Sequence, residues 1–486
     1  MSARALPWLT LTVLWLAGCA VGPDYRRPAA LGTNAAPAAF GGAVTITNAG
    51  DWKPAEPAAG VARGAWWELF GDAELNRLER LAAVGNQQLA VAAARFEQSR
   101  AEVNVARADL FPHVSVDPAY TRQRTSQNQP FLGKPAGVSA TYNVFTFPLD
   151  ASWEPDLWGR VRRQTESARA QLAASADDLA AARLAVEAEL ATDYFTLRSL
   201  DAEYALLEKT VTAYRLSLEL TRNRRRGGIA SDLDVSQAET QLRATEAQLP
   251  AVDLQRINLR HALATLCGQA ATGFVLAGST NAMSAAPLIP PSLPSELLER
   301  RPDIASAERR MAAANAAVGV AQTAFYPRLV INGLAGFQSV SASTWFDWPS
   351  RLWAVGPALQ FPLFTGGRNR AQLAAARAAY DETVAAYRAT VLTAFQEVED
   401  QLAAQRLLAA QLTAENAALA AAQHTLEISQ NRYRSGLVTY LEVVTAQSAA
   451  LSGERTVVQL HAERLAASVA LTKALGGGWT TGPVLR

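Results

Sequence analysis

The sequence predicts a mainly α-helical protein with a membrane β segment, built from one unit that occurs twice. The stretch Gly159–Gly268 matches Gly367–Gly476, 208 residues later, and the matched points need no insertion or deletion. Long stretches of each copy carry apolar residues at alternating intervals of four and three, which is typical of helices packed side by side in coiled coils. Before each of these stretches, apolar residues alternate with polar or small ones, as in barrel strands. The predicted fold is therefore four barrel strands and long coiled-coil helices per chain.

The N-terminus indicates export and lipid attachment. Arg4 precedes an apolar stretch at 6–16 that is too short to span a bilayer, and two small residues then lead to Cys19. Residues 1–18 resemble a bacterial lipoprotein signal peptide, with Cys19 as the lipidated first residue of the mature chain. An ordinary secretory peptide with an incidental cysteine is the alternative. The residue after Cys19 is Ala20 and not Asp, and by the same resemblance this favours the outer membrane.

Composition and motifs exclude several classes of function. A formal net charge of +1 over 486 residues gives no basis for a nucleic-acid partner. Two cysteines and four histidines show no metal-ligand spacing, and neither a nucleophile motif nor a phosphate-binding loop is recognisable. We therefore expect no enzyme activity, no catalytic residue, no cofactor and no metal site.

The remaining segments follow in order along the chain. Residues 19–64 are rich in Ala, Gly and Pro, which is typical of an extended arm tethered to its lipid. The first repeat is predicted at 65–268, an equatorial linker at 269–295, the second repeat at 296–476 and a C-terminal tail at 477–486. The predicted helices are 72–110, 160–226, 231–267, 302–325, 368–434 and 439–475, and the predicted strands are 114–121, 144–153, 329–337 and 353–361.

An apolar seam predicts how the long helices pack. In the first copy it runs from Val186 to Leu218 and contains one charged residue, Asp193. The equivalent positions of the second copy, from Ala394 to Leu426, are polar at three places and include small alanines. The seam favours helices lying side by side, and a soluble helical bundle remains an alternative.

The predicted strands present one apolar face with aromatic residues near its ends. Such a face is typical of a lipid-facing barrel wall, although a hairpin over a soluble core alternates in the same way. Four strands cannot close a membrane barrel, because the smallest has about 8 strands and open sheet edges are not tolerated in hydrocarbon. If the wall is real, the chain must oligomerise, and two, three or four copies would each meet this requirement.

Two helix–turn–helix segments, at 222–234 and 432–442, carry the candidate functional residues. One interpretation is capping alone, because terminal arginines and left-handed glycines complete helix C-termini, and Ser231–Asp234 and Thr439–Glu442 resemble capping boxes. The other hypothesis is that several copies place these turns in a ring that narrows an opening and binds a partner's helical tips. The gate candidates are Asp234, Leu441 and Glu442, and the candidates for tip contacts are Arg225, Arg226, Gly228, Arg432, Arg434 and Gly436.

Short motifs along nearly the whole chain point to one family. They are Cys19-Ala20-Val21-Gly22-Pro23-Asp24-Tyr25, Trp66-Trp67, Arg300-Arg301-Pro302-Asp303-Ile304, Ala307-Glu308-Arg309, Phe325-Tyr326-Pro327, Gly366-Gly367-Arg368 and Ala394-Phe395-Gln396-Glu397-Val398-Glu399-Asp400. Taken together, they resemble the outer membrane factors of tripartite efflux systems, the family of TolC and OprM, and specifically its NodT-type lipoprotein branch.

The resemblance implies a homotrimer with a twelve-stranded β-barrel in the outer membrane and a twelve-helix α-barrel in the periplasm. It also implies a passive channel for drugs or other small molecules, supplied by a proton-driven inner-membrane pump through a periplasmic adaptor protein, and contact with outer membrane lipid. A type I protein secretion conduit and a lipidated coiled-coil scaffold without a pore are the alternatives.

The second turn departs from the family pattern at two places. The family often reads Leu-Asp-Val-Leu-Asp here, whereas this chain has Leu441-Glu442-Val443-Val444-Thr445. In addition, Ser448 stands where an arginine is common. Asp234 and Glu442 are therefore the better gate candidates.

Overall fold

The computed structural model describes residues 20–31, 64–128, 139–276, 287 and 300–477. The predicted signal peptide, Cys19 and most of the predicted arm, linker and tail lie outside the described residues, and the predicted segment limits stay predictions. The chain divides into two compact units. The first unit comprises residues 1–28, 96–175 and 307–387 and holds the sheet, and the second comprises 29–95, 176–306 and 388–486 and holds helices.

The described residues are mainly helical, as predicted. Among them, no helix combines the length and the apolar character needed to cross a bilayer. A short 3₁₀ turn at Trp66–Phe70 precedes the first α-helix. The α-helices are α1 (Ala73–Gly85), α2 (Gln87–Ala108), α3 (Arg160–Arg226), α4 (Asp232–Glu246), α5 (Gln248–Leu266), α6 (Pro302–Thr323), α7 (Arg368–Arg434) and α8 (Tyr440–Ala474).

The duplicated unit is confirmed in the helix bounds. Helices α3 and α7 each have 67 residues and begin and end at matched positions. Each is preceded by a glycine with positive φ, Gly159 at 82° and Gly367 at 85°. A left-handed backbone conformation there suits glycine, because it has no Cβ to clash. The matched glycines therefore mark points where both copies need the same change of chain direction.

The predicted helix at 72–110 is wrong in one respect, because the structure breaks it at Asn86. The Asn86 side chain accepts hydrogen bonds from the backbone N–H groups of Gln88 and Leu89, at 2.9 and 3.1 Å, and so starts α2. Its amide also donates to the Leu266 carbonyl at 2.8 Å. A Cβ added to Gly268 would lie only 1.9 Å from the Gly85 carbonyl oxygen, so the break lies where two backbones cross in close contact.

The predicted helix at 231–267 is also interrupted, between α4 and α5. Pro250 has no N–H to donate to the Glu246 carbonyl, and its ring clashes with that carbonyl in a regular helix. Helix α4 accordingly ends at Glu246. The matched position in the second copy is Val458, and α8 continues through it without a break.

The sheet joins both copies. Four strands were predicted, but the first of them is divided at Asp117-Pro118, where proline cannot donate to a ladder. The strands are β1 (His113–Val116), β2 (Ala119–Arg124), β3 (Thr141–Trp153), β4 (Arg328–Ser339) and β5 (Arg351–Gln360). All pairs are antiparallel: β1 and β2 both pair with one edge of β3, β3 pairs with β4, and β4 pairs with β5. The β3–β4 pair, which was not predicted, places Phe147 opposite Phe337.

The second unit contains a hydrophobic core around the 3₁₀ turn. Trp66 is 1% exposed and packs, with Phe70 and Leu75, against the α3 residues Leu190 and Tyr194. The Trp66 indole donates to Glu187 at 3.0 Å, and the Tyr194 hydroxyl donates to Asp72 at 2.7 Å. The apolar seam predicted for α3 therefore packs in the protein interior.

Glu79 in this region is a buried acidic side chain whose carboxylate has no hydrogen-bond donor among the described residues. Its exposed fraction is 1%. Burial, together with the charge of nearby Glu187, raises the pKa of Glu79 to about 9, although Arg183 opposes the shift. The folded state therefore holds this proton more tightly than the unfolded chain, and its stability falls as pH rises from 5 towards 9.

We expect Glu79→Gln to raise the thermal midpoint of the purified protein at pH 8 and to change it less at pH 5. The neutral amide removes the proton linkage, which corresponds to a gain on the order of 2 kcal/mol at pH 8 relative to pH 5. Differential scanning fluorimetry at both pH values measures this difference. The exposed Glu68→Gln serves as the control, and equal pH dependence in Glu79→Gln and wild type would contradict the assignment.

Candidate functional site

The two predicted turns lie against one another in the second unit. Residues of both copies form one hydrophobic cluster beneath them, so the turn after α3 and the turn after α7 are held as a pair. Tyr433 and Tyr440 pack edge to face at 5.2 Å, and the Tyr440 hydroxyl lies 3.0 Å from that of Ser217. The buried members of the cluster are Val211, Tyr214, Leu218, Ala238, Leu242, Tyr433, Tyr440 and Val443.

Both helices that enter the turns end in the same way. Gly228 and Gly436 adopt φ values of 74° and 76°. The N–H of Ile229 donates to the Arg224 carbonyl at 2.9 Å, and Leu437 donates to the Arg432 carbonyl at the same distance. These bonds define a Schellman motif at each C-terminus, so the predicted capping role of the two glycines is confirmed.

Asp234 connects the two turns. In the first turn the predicted capping box is confirmed: Oδ2 of Asp234 accepts from the Ser231 N–H at 2.9 Å, and the Ser231 hydroxyl accepts from the Asp234 N–H at 3.2 Å. The other carboxylate oxygen, Oδ1, accepts from the Tyr440 N–H at 3.3 Å. One carboxylate therefore lies at the positive N-terminal ends of α4 and α8.

The predicted capping box between Thr439 and Glu442 is wrong. Thr439 is the N-cap residue of α8, but its side chain makes no capping hydrogen bond. The Glu442 N–H, which a capping box would bond to the Thr439 side chain, donates instead to the Thr439 carbonyl at 3.3 Å. The first N–H of this helix, that of Tyr440, donates to Asp234 of the first repeat. The second turn depends on the first for part of its cap.

Arg224 is a second connection that the sequence did not single out. Its guanidinium donates to the Arg434 carbonyl at 2.7 Å, and its Cζ lies 4.9 Å from the centre of the Tyr433 ring. Arginine over an aromatic face is a favourable cation–π contact. The run from Arg222 to Arg226 signals a basic turn, but its spacing does not tell which arginine faces the other copy.

The remaining candidates have local partners or face solvent. Arg225 pairs with Asp232 at 2.5 Å, Arg226 hydrogen-bonds to Asn223, and Arg434 lies 3.5 Å from the Asn431 side chain. Arg432, Leu441 and Glu442 are exposed in the single chain, Leu441 to 54%. The structure therefore brings Asp234 to the start of α8 while leaving Leu441 and Glu442 on the surface.

Burial affects the chemistry of the tyrosines in this cluster. Removal from water raises the pKa of Tyr440, with a smaller contribution in the same direction from Tyr433. The phenol stays neutral at physiological pH, so its contact with Ser217 persists across that range. Among the described residues, no group of three His, Cys, Asp or Glu side chains is placed to hold a metal.

In the first unit, the segment directly after Cys19 is bound to the helices. The Val21 N–H donates to the Trp158 carbonyl at 2.9 Å, and Asp24 pairs with buried Arg163 at 3.0 Å. The Tyr25 hydroxyl donates to Glu308 at 2.7 Å. A lipid on Cys19 would therefore be attached one residue before a segment that is held against α3 and α6.

Comparisons with known proteins agree on one family. The family model for "Outer membrane efflux protein" matches residues 78–269 and 293–477. Outer membrane protein OprJ of Pseudomonas aeruginosa is 35% identical over 488 residues, covering 97% of this chain and 95% of OprJ. The probable efflux pump outer membrane protein TtgC of Pseudomonas putida is 34% identical over 479 residues, covering 98% of this chain and 96% of TtgC. The solved structure of the outer-membrane channel OprN superposes with a TM-score of 0.84 at 32% identity, covering 95% of this chain and 100% of that chain.

We expect Asp234→Ala to loosen both turns. Loss of a helix cap costs about 1 kcal/mol, which corresponds to about fivefold faster local opening. Hydrogen–deuterium exchange mass spectrometry should detect faster exchange around Ser231 and, through the lost bond to its N–H, around Tyr440. Asp232→Ala is the matched control, because Asp232 pairs with Arg225 in the same turn. Unchanged exchange of the second turn in Asp234→Ala would contradict the connection.

Proposed function

Because this chain belongs to the outer membrane efflux protein family, we propose that it acts as the passive outer membrane channel of a tripartite efflux pump. The family model matches two segments that together span most of the chain, TtgC is named a probable efflux pump outer membrane protein, and OprN is named an outer-membrane channel. The protein conducts drugs or other small molecules from an inner-membrane transporter to the exterior.

The sheet supports a channel wall completed by several copies. Along the described strands, β5 pairs only with β4, and β1 and β2 pair only with β3, so each end of the sheet has an unpaired edge. One face carries exposed apolar side chains, including Trp353 at 74% and Val355 at 70% exposure. In hydrocarbon these edges need partners, and three copies joined edge to edge make a closed twelve-stranded barrel.

The paired turns act as the periplasmic gate. In the closed state, Asp234 and Arg224 hold the second turn against the first within each subunit. Leu441 and Glu442 face outward from this pair and contact the equivalent turns of neighbouring copies around the opening. Opening separates the helices by exchanging a few polar contacts for contacts with water, a shift that packed helices allow.

The same turns contact a periplasmic adaptor protein, which connects the channel to a proton-driven inner-membrane pump. The exposed Arg432, the ion-paired Arg225 and the neighbouring Arg226 and Arg434 supply positive charge for that contact. Gly228 and Gly436 keep the turns narrow enough for helical tips to approach. Type I protein secretion remains a second candidate, but the efflux names of the relatives favour small-molecule transport.

We expect Asp234→Ala combined with Glu442→Ala to raise the open probability of the channel in planar bilayers by roughly fivefold or more. This magnitude follows from the loss of about 1 kcal/mol of capping energy in each subunit. The control is Asp232→Ala with Glu239→Ala, which also removes two carboxylates but leaves the contacts of Asp234 in place. Equal open probability of the double variant and wild type would count against a gate at these turns.

A second experiment separates a membrane channel from a lipidated scaffold. Residues 1–18 are exchanged for an ordinary cleavable secretory signal and Cys19→Ser removes the acylation site, because an uncleaved signal would itself anchor the chain. We expect the protein to resist extraction by alkaline carbonate and to require detergent, since the apolar sheet face remains. A scaffold held only by its lipid would be released without detergent, and that result would overturn the channel proposal.

A further inference from the structure

Three arginines lie on the apolar face of the sheet, at the end formed by the connecting loops. Alternation along β2 places Arg122 and Arg124 on the same face as Tyr120, and Tyr120 is opposite Phe145. At the opposite edge of the sheet, and on the same face, Arg351 of β5 is opposite Phe337, which in turn is opposite Phe147. All three arginines are exposed.

This face is the one predicted to contact lipid. It also carries Trp353 and Val355, which are among the most exposed apolar side chains of the sheet. The opposite face of β2 and β3 carries Thr121, Gln123 and Tyr142 instead. Arginines that served the interior of a channel would be expected on that polar face, so their position calls for a role towards the membrane.

Aromatic residues surround the arginines. The loop between β4 and β5 folds back onto the apolar face, so that Trp345 lies 5.2 Å from Phe145 and Phe346 lies 5.6 Å from Phe147. The Arg351 guanidinium lies 4.3 Å from the centre of the Trp348 ring and donates to the Trp348 carbonyl at 3.0 Å. The loop end of the face is therefore an aromatic band with positive charge within it at Arg351 and beyond it at Arg122 and Arg124, which lie opposite Asn143 and Thr141.

The charges at this end are not balanced within the chain. Residues 119–149 contain no Asp or Glu, and the loop at 340–350 contains one acid, Asp347. Among the described residues, Arg124 donates to the Ser139 hydroxyl at 3.2 Å, and no ion pair joins Arg122, Arg124 or Arg351 to a carboxylate. At the helix end of the sheet, by contrast, Arg160 and Arg328 both pair with Glu154, at 3.0 and 2.7 Å.

The cost of a lipid-facing arginine depends on its depth. It is about 2–4 kcal/mol at the bilayer midplane and falls to about 0–1 near the interface. A position beside or beyond the aromatic band is thus tolerated, but tolerance alone does not explain three unbalanced charges at the loop end of the same face. Guanidinium groups bind phosphate through two parallel hydrogen bonds, and aromatic rings suit the interfacial part of a lipid.

We propose that the loop end of this face binds phosphorylated lipid headgroups of the outer leaflet, at Arg122 and Arg124 along one edge of the sheet and at Arg351 along the other. The phosphate groups pair with the guanidinium groups, and the aromatic side chains beside them contact the sugar and the upper parts of the acyl chains. The site lies outside the conducting path and goes beyond the proposed efflux function.

The full-length protein in phosphatidylcholine nanodiscs is titrated with diphosphorylated lipid A, and the lipid retained is measured by native mass spectrometry. We expect Arg122→Gln, Arg124→Gln and Arg351→Gln together to weaken binding by at least about tenfold, because three charge-assisted contacts are lost. Replacement of the same residues by lysine should restore most of the affinity. Fully dephosphorylated lipid A should bind wild type as weakly as lipid A binds the glutamine variant.

The matched control carries the same change of charge on exposed helical arginines, as Arg95→Gln, Arg370→Gln and Arg377→Gln. It should bind lipid A like wild type. Three results would each overturn the proposal. They are unchanged lipid A affinity of the Arg122/Arg124/Arg351 glutamine variant, binding of dephosphorylated lipid A to wild type as tightly as lipid A, and displacement of lipid A by the same concentration of inorganic phosphate. Conductance recorded from the same preparation distinguishes loss of lipid binding from failure of the channel function, since the triple glutamine variant should still conduct.

Discussion

Backbone hydrogen bonding at the edges of the sheet is the constraint on which the rest of this structure depends. Water is absent from the bilayer core, so an N–H or C=O left unpaired there costs several kcal/mol. The single chain pairs β3 and β4 on both sides, but it leaves an unpaired edge along β1 and β2 and another along β5 among the described strands. The duplicated unit therefore builds a segment of wall whose two edges can be satisfied by further copies of the same chain.

The two turns in the second unit are held together by a different kind of interaction. Asp234 and Arg224 connect the two turns through hydrogen bonds and a cation–π contact, and Glu442 beside them is exposed. Polar contacts near water are individually weak, because solvent replaces them when they break. The sheet thus demands permanent closure, whereas the turns are held by interactions that can be exchanged. This difference suits the proposed division between a fixed pore in the membrane and a gate at the turns.

Periodicity in the sequence predicted the large features because each is repeated many times. The bounds of α3 and α7 and the left-handed glycines at 228 and 436 follow from local pattern and backbone preference. The missed features depend on single contacts between distant residues. Asn86 ends one helix and starts another because a backbone crosses there, and the first N–H of α8 donates to Asp234 of the other repeat. Pro250 and Pro118 did carry a local signal, since proline removes a donor.

The two repeats also differ in the side chains that their long helices carry along the matched seam. The α3 seam contains fully buried residues such as Leu190, Leu197 and Leu207. At the matched positions of α7 lie Val398, which is also buried, and the polar Gln405 and Glu415, and Gln405 is held by a hydrogen bond to Ser468 at 2.7 Å. At these positions α7 carries less apolar side chain than α3, and the cost of exposing apolar surface is about 25 cal/mol per Å². In the proposed gate, the bonds that Asp234 and Arg224 make to the second turn are polar contacts that resist its displacement from the first.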